Sequence, residues 1–277
     1  MRRYFLLSIV AIATFALSAQ NEGKLAIIHT NDTHSQIEPF GENAGERSGM
    51  AGLARRATLV KELREEYSNL LLLDAGDFFQ GTPYFNFFNG ELEVRAMNLL
   101  GYDAVTLGNH EFDNGVEFLA NALRDAKFDV VCSNYDFTNT PLQRIIKPYV
   151  IKEVAGQRVG IVAMCINPKG LIAPNNVNGI TYNDPYESVI KLAKRLRDDQ
   201  GCSMIICLSH IGHNYEGSPS DLDFAKLSSS IDLVVGGHSH TYLEKALELT
   251  NAEGEPIVVT QAGSKGQYVG KLIYDIK

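Results

Sequence analysis

The chain lacks the signatures of several common catalytic classes. There is no GxxxxGK loop, so a phosphate cradle of the P-loop kind is excluded, and no GxSxG elbow of a serine hydrolase. Ser209 does precede His210, but no oxyanion partner can be identified for it. No CxxC occurs among the four cysteines, Cys132, Cys165, Cys202 and Cys207, which excludes a thiolate zinc knuckle. Basic charge is also short: the formal net charge is -8. That argues against a nucleic-acid polymer as partner, because phosphate backbones attract basic surfaces. A small phosphorylated substrate stays open if bound metal supplies local positive charge. No apolar run reaches the roughly 20 residues of a membrane span.

What is present begins with MRRYFLLSIVAIATFALSAQ. Two arginines lead an apolar run from Tyr4 to Leu17, broken by Ser8 and Thr14, and small residues follow. That order is the one expected of a secretory signal over residues 1–20. The mature chain is expected to start near Gln20 or Asn21 and to be exported, to the periplasm or outside the cell. Exported chains can form disulfides. However, an extended 202–207 segment would set its ends about 16 Å apart, beyond the roughly 7 Å that a bridge allows. Buried free thiols are expected.

The remaining sequence, with 45% hydrophobic and 21% charged residues overall, is ordinary globular material. Apolar runs without alternation suit strands covered on both faces. They occur at 24–29, 69–74, 103–107, 128–131, 204–208 and 232–235. Amphipathic helical patterns lie between them at 52–67, 91–101, 116–126 and 184–201. Two hairpins are expected, one around Gly156-Gln157 and one between residues 254 and 277 around Gly263 to Gly266. The segment 167–185 reads as loop. The whole reads as one α/β domain of mixed sheets over residues 21–277.

Polar residues concentrate where the predicted strands end, the edge at which α/β sheets bind ligands. Of seven histidines, five fall in these loops: His34, His110, His210, His238 and His240. Asp32, Asp77, Asn109 and Asp113 accompany them. A mixed set of imidazole, carboxylate and amide without thiolate suits Zn, Mn, Fe or Co, and differs from the all-oxygen cage of calcium. Seven candidate donors exceed one tetrahedral ion: Asp32, His34, Asp77, Asn109, His210, His238 and His240. Two ions sharing a carboxylate would use them all, an arrangement suited to in-line displacement at phosphorus. Gly76, Gly108 and Gly236-Gly237 precede donors, where glycine permits a sharp turn and a close approach.

The motifs DTH, GDFFQG, GNHEFD, SHIGH and GGHSH stand in the order seen in calcineurin-like metallophosphoesterases. HTNDTH, the GNHEFD spelling and SNYDF make the chain similar to the metallophosphatase domain of the 5'-nucleotidase family. The resemblance covers nearly all of the chain after residue 20. It implies a four-layer α/β/β/α sandwich with a dinuclear site at one edge. Carried over motif by motif, Asp32, His34 and His240 would hold one ion, Asn109, His210 and His238 the other, and Asp77 would bridge them. His110 and Asp113 would form a catalytic pair. An imidazole beside two metals can stabilise the transferring phosphoryl group and help the leaving oxygen depart, and a carboxylate can fix its tautomer. Glu111 reads as structural. The expected nucleophile is a water or hydroxide activated by the two ions.

The expected substrate is therefore a nucleotide or another small phosphoester, with 2',3'-cyclic nucleotides and UDP-sugars among the candidates. Full-length 5'-nucleotidases carry a second, C-terminal domain that holds the nucleoside, and the resemblance does not extend to one here. The chain is thus expected to act alone, or as the catalytic half beside a separate nucleoside-binding polypeptide. A metal-binding interaction module is the third reading. The aromatic stretch FFQGTPYFNFF (78–88) is expected to pack under a helix rather than to line a pocket.

Overall fold

The computed structural model describes residues 21–215 and 217–276; the expected signal segment, Met1–Gln20, lies outside the described residues. Fourteen strands are present among them. They are β1 (Lys24–Thr30), β2 (Leu70–Asp74), β3 (Ala104–Val105), β4 (Asp129–Val131), β5 (Tyr135–Asp136), β6 (Ile146–Lys147) and β7 (Tyr149–Val154). The rest are β8 (Gln157–Cys165), β9 (Thr181–Tyr182), β10 (Met204–His210), β11 (Leu233–Gly236), β12 (Leu247–Thr250), β13 (Pro256–Thr260) and β14 (Gly270–Asp275). Six α-helices join them: α1 (Leu53–Glu66), α2 (Pro83–Phe88), α3 (Glu91–Leu100), α4 (Val116–Leu123), α5 (Pro185–Asp198) and α6 (Asp221–Leu227).

Two six-stranded sheets form, ordered β14-β1-β2-β3-β4-β6 and β12-β13-β11-β10-β8-β7, and β5 pairs with β9 separately. Each sheet is parallel in its middle, with antiparallel strands at its edges: β14 in the first, β7 and β12 in the second. Strand side chains alternate between faces, and the core divides accordingly. Leu25, Ile27, Leu71 and Leu73 face Val159, Ile161, Ile206 and Leu208 across the gap between the sheets. Ala26, Ile28 and Leu72 point the other way, onto Val60 and Leu63 of α1 and Val94 and Met97 of α3. Val162, Ile205 and Cys207 meet Val189, Ala193 and Leu196 of α5 and Phe224 of α6. Helix, sheet, sheet and helix are thus the four layers, as the resemblance implied. Both faces of each sheet are covered, and that is why the strands read as unbroken apolar runs.

The four helical patterns and six strand patterns all form, with shifted ends. The α5 start follows its signals: the Asp184 side chain accepts the Glu187 N–H at 2.9 Å, and Pro185 takes the first helical position. The first expected hairpin is β7–β8, with Val154 opposite Gln157. The second does not form. β13 lies in one sheet beside β11 and β12, while β14 crosses to the other and pairs antiparallel with β1, Leu25 opposite Tyr274. Two apolar runs with glycines between them look the same whether they pair with each other or with distant partners. The 167–185 loop contains a 3-10 turn at Pro174–Val177 and the short β9. All four cysteines are free and buried. In the aromatic stretch, Phe78, Phe79 and Phe85 are core residues, but Phe87 and Phe88 are exposed, so only part of it packs inside. Among the described residues no helix is long and apolar enough to cross a membrane.

Candidate metal centre

The loops after β1 and β2 continue the parallel pairing of their strands. Asp32 N–H donates to the Gly76 carbonyl at 2.8 Å, His34 N–H to Asp77 at 3.0 Å and Ser35 N–H to Phe78 at 3.0 Å. The loop after β3 joins through His110 N–H, which donates to Asp77 Oδ1 at 2.8 Å. From the second sheet, His210 is the last residue of β10, and His238 N–H, just past β11, donates to Asp32 Oδ2 at 3.0 Å. The two sheets therefore contribute their strand ends to one polar cluster.

All seven expected donors come together. Asp32, His34 and His240 form one group whose potential ligand atoms lie within 4.8 Å of one another; Asp77, His210 and His238 form a second. Asn109 joins the second, its Oδ1 3.0 Å from His238 Nδ1. Asp77 also belongs to a third such group, with His34 and His110, so this carboxylate sits between the two sides. The groups differ in depth. Asp77 and His210 are buried, whereas the first group reaches solvent through His240, whose side chain is 45% exposed. His29 and His213 stand in none of these groups.

The donor atoms fit divalent cations. His210 Nδ1 donates to the Ala75 carbonyl at 2.6 Å, which leaves Nε2 with its lone pair. That Nε2 is buried without a hydrogen-bond partner and faces Asp77 Oδ2 at 3.1 Å. A lone pair facing a carboxylate needs a positive charge between them. Without metal only a proton can supply it: burial opposes charge on His210, but the Asp77 carboxylate lifts the ring well above the usual histidine range. Burial likewise opposes ionisation of Asp77, yet the His210, His34 and His110 imidazoles hold it below the usual carboxylate range. Burial lowers His34 and His238 to about 4, so both rings are neutral and able to ligate near neutral pH. His34 Nε2 and His240 Nε2 point at each other across 3.0 Å beside Asp32 Oδ1.

The backbone here is held in an uncommon state. Asp32, His34, Asp77, His238 and His240, five of the seven donors, have φ between 47° and 70°. For a residue with a Cβ this costs about 1–3 kcal/mol each, and such strain gathers where geometry serves a site. The GNHEFD loop completes the arrangement. His110 Nδ1 lies 2.8 Å from Asp113 Oδ2, and that bond, against burial, raises the ring's pKa. Glu111 is fully buried and accepts three backbone N–H groups: Gly108 at 2.6 Å, Asp77 at 3.0 Å and Phe79 at 3.1 Å. It ties two site loops together, the structural part the sequence reading assigned to it. Ser209 is buried and donates to Asp221 Oδ1 at 2.5 Å, so it is not a free nucleophile.

Comparison with known proteins agrees with this geometry. The sequence model of the calcineurin-like phosphoesterases matches residues 25–242. The chain belongs to that family. Among curated relatives it is 36% identical to a snake venom 5'-nucleotidase of Gloydius brevicauda, over 92% of this chain and 46% of that protein. It is 33% identical to the trifunctional nucleotide phosphoesterase protein YfkN of Bacillus subtilis, over 90% of this chain and 18% of that one. Among solved structures, a 5'-nucleotidase precursor from Thermus thermophilus superposes with a TM-score of 0.81 at 36% identity, covering 90% of this chain and 51% of that one. The chain thus spans about half the length, or less, of these relatives. Over the part that this chain covers, the relatives it matches are proteins named for 5'-nucleotidase and nucleotide phosphoesterase activity.

In this phosphoesterase the glycines divide between the two expected reasons, a sharp turn and a close approach. Only Gly76 has a left-handed φ, 89°. The other three are required by closeness. A Cβ on Gly108 would fall on Asp77 Oδ1 and reach His210 Nε2 at 2.5 Å. One on Gly237 would meet the Ala75 carbonyl at 2.7 Å and His210 Nδ1 at 2.8 Å, and one on Gly236 would strike Asp221. Gly108→Ala is therefore expected to displace Asp77 or His210 and to destabilise the fold by about 1–3 kcal/mol, as overpacking does. Urea unfolding alongside metal titration checks this; an unchanged midpoint with wild-type metal uptake would contradict it.

Several residues that build the site escaped the sequence reading. Asn31 donates to Asp32 Oδ2 at 2.7 Å and to the Gly263 carbonyl at 2.7 Å. Gln261 accepts from Ser239 Oγ at 3.0 Å and from the Thr241 N–H. Lys265 donates its N–H to the Asp32 carbonyl at 2.7 Å, and its half-buried ammonium sits beside His34, close to where a Gly81 Cβ would point. Burial lowers its pKa, while Asp32 and Asp77 act against that. Gln261 and Lys265 lie in the loop after β13. Read as a hairpin turn, that loop carried no functional expectation; read as the end of another parallel strand, it would have.

Proposed function

We propose that this phosphoesterase hydrolyses small phosphoesters, nucleotides above all, at a centre of two divalent ions, Zn, Mn, Fe or Co. The observation that carries the reading is the pair of converging donor groups with Asp77 between them. On this reading Asp32, His34 and His240 would hold one ion, Asn109, His210 and His238 would hold the other, and Asp77, which belongs to donor groups on both sides, would serve both. Ions bound there would polarise the phosphoryl oxygens and lower the pKa of a water nucleophile.

The chain's own side chains do the rest. The fixed donors hold their positions before substrate arrives, since backbone hydrogen bonds set Asp32, His34, Asp77 and His238. His110 is partly exposed beside the cluster, and with Asp113 on its Nδ1 its Nε2 is the free nitrogen that faces substrate. A protonated Nε2 can hydrogen-bond a phosphoryl oxygen and hand its proton to the departing ester oxygen. Asp113 fixes the ring and supports its charge.

The test is phosphate release by the purified chain, loaded with Mn or Zn or stripped with chelator. AMP, UDP-glucose, 2',3'-cyclic AMP, bis-p-nitrophenyl phosphate and p-nitrophenyl phosphate are the substrates. Metal-dependent release supports the reading; metal uptake with no turnover of any ester would favour an interaction module. His110→Ala is expected to keep its metal by elemental analysis and to lose at least about tenfold in kcat, the low end for a general acid. Unchanged turnover would remove His110 from the mechanism. Asp113→Ala is expected to lose about 10–100-fold.

Export completes the proposal, on the strength of the charged, apolar and small-residue order of residues 1–20. Fractionation of expressing cells, with the N-terminus of the product sequenced, checks it. The alternative within the same chemistry is a separate polypeptide that supplies nucleoside binding, and copurification with one would favour it.

A further inference from the structure

Lys265 is held more firmly than a surface lysine needs to be. It lies in the loop between β13 and β14, and that loop is laced to the one that carries Asp32. Ala262 N–H donates to Asn31 Oδ1 at 2.8 Å, the Asn31 amide donates to the Gly263 carbonyl at 2.7 Å, and Lys265 N–H donates to the Asp32 carbonyl at 2.7 Å. The Lys265 backbone is left-handed, with φ 58°. Just beyond it, a Cβ on Gly266 would strike Arg56, so the backbone is packed closely on that side too. A strained backbone held by its surroundings gathers where geometry serves a site.

The side chain runs to the donor cluster. The point where a Gly81 Cβ would stand is 2.5 Å from Lys265 Nζ and 2.9 Å from His34 Cβ. Gly81 is exposed and has φ 127°. The ammonium thus takes space at the rim that any other residue at 81 would fill. His34 shares its donor group with His240, whose side chain is 45% exposed. Lys265 therefore stands beside the donor group that opens to solvent. Its charge belongs to the same electrostatic set: Asp32 and Asp77 favour the ammonium, and the ammonium opposes protonation of His34. Both carboxylates are metal donors on the proposed reading. With their charge taken up by cations, a further cation beside them is stable only with an anion between.

We propose that the Lys265 ammonium binds a terminal oxygen of the phosphoryl group and so selects phosphate monoesters over diesters. This rests on the reading of the centre as a phosphoester hydrolase. A monoester presents three terminal oxygens and, with a second pKa near 6, about two negative charges at neutral pH. A diester presents two such oxygens and one charge, and an organic group takes the third place. Lysine suits the task, as a compact point charge that meets a single phosphate oxygen.

Inorganic phosphate is the first probe, titrated calorimetrically into the metal-loaded chain. Lys265→Met keeps the length of the side chain and removes its charge. It is expected to weaken phosphate binding at least about tenfold, the low end for a bond to a charged group, with metal content by elemental analysis unchanged. It should lower the ratio of kcat/KM for p-nitrophenyl phosphate to that for bis-p-nitrophenyl phosphate by a similar factor; the two share a leaving group, so the ratio reads the phosphoryl charge. Lys265→Arg keeps a cation and is expected to retain most of both. A lysine that only braced the Gly81 loop would, when replaced, slow both esters alike, and that result would overturn the proposal. So would wild-type phosphate affinity in Lys265→Met, or no phosphate binding by wild type. If Lys265→Met loses phosphate affinity and Lys265→Arg keeps it while no ester is hydrolysed, the anion site stands and the catalytic reading falls.

Discussion

Replacing Asp77 with asparagine is expected to lower kcat/KM for phosphate release by at least about a thousandfold, the upper range for removal of one preorganised electrostatic group. One Asp77 oxygen accepts the His110 N–H, and the other lies 3.1 Å from His210 Nε2. The residue shares one donor group with His210 and His238 and another with His34 and His110. Among the described residues no other side chain belongs to both. An amide is nearly the same size, so the fold should survive and circular dichroism should not change. Yet asparagine has one acceptor oxygen in place of two and no charge. Its NH₂ would be turned toward an imidazole or toward a cation. Metal content per chain should fall along with turnover. A variant with wild-type metal content and turnover within tenfold of wild type would remove Asp77 from its bridging place and, with it, the two-ion reading.

The second large effect is on stability. Glu111→Ala is expected to destabilise the folded chain by about 3 kcal/mol or more, from three buried N–H groups left unpaired at about 1–3 kcal/mol each, offset in part by water entering the gap. Those donors are Gly108, Asp77 and Phe79. Two of the three lie on the β2 loop and one on the β3 loop, so the same change loosens the junction that places Asp77 against His110. Glu111→Gln keeps one acceptor oxygen and should lose less. Burial first, and then the Asp77 charge, push the Glu111 carboxyl's pKa up, while the Gly108 and Phe79 N–H groups pull against it. Urea unfolding of wild type and the two variants measures the difference. A loss below about 1 kcal/mol for the alanine variant would mean that water replaces the carboxylate fully.

Local pattern and tertiary role coincide in the central strands. A strand covered on both faces must be apolar throughout, so β1, β2 and β10 could be recognised without knowing their neighbours. Polar residues at their ends beyond the needs of turning singled out Asp32, His34, Asp77, Asn109, His210, His238 and His240 as candidate donors, and the fold brings these side chains together. The split into two donor groups was not read from spacing. It came with the family resemblance, because residues about two hundred positions apart, such as His34 and His240, meet only when both sheets are stacked.

Other features were decided by long-range packing alone. β13 and β14 carry the pattern of a hairpin, but β1 offers β14 an open edge in the other sheet, and the pairing follows that edge. This choice turns the loop between them into a site loop and brings Gln261 and Lys265 to the cluster. Gly108 and Gly237 are glycines because side chains from distant segments fill the space a Cβ would take, and no local φ preference signals that. The sequence by itself determined which segments are strands and helices and which polar residues stand at their ends, since those follow from the periodicity of burial. Only the tertiary structure decided how those ends converge and which glycines must stay glycine, because each depends on contacts between segments with no local signature in the chain.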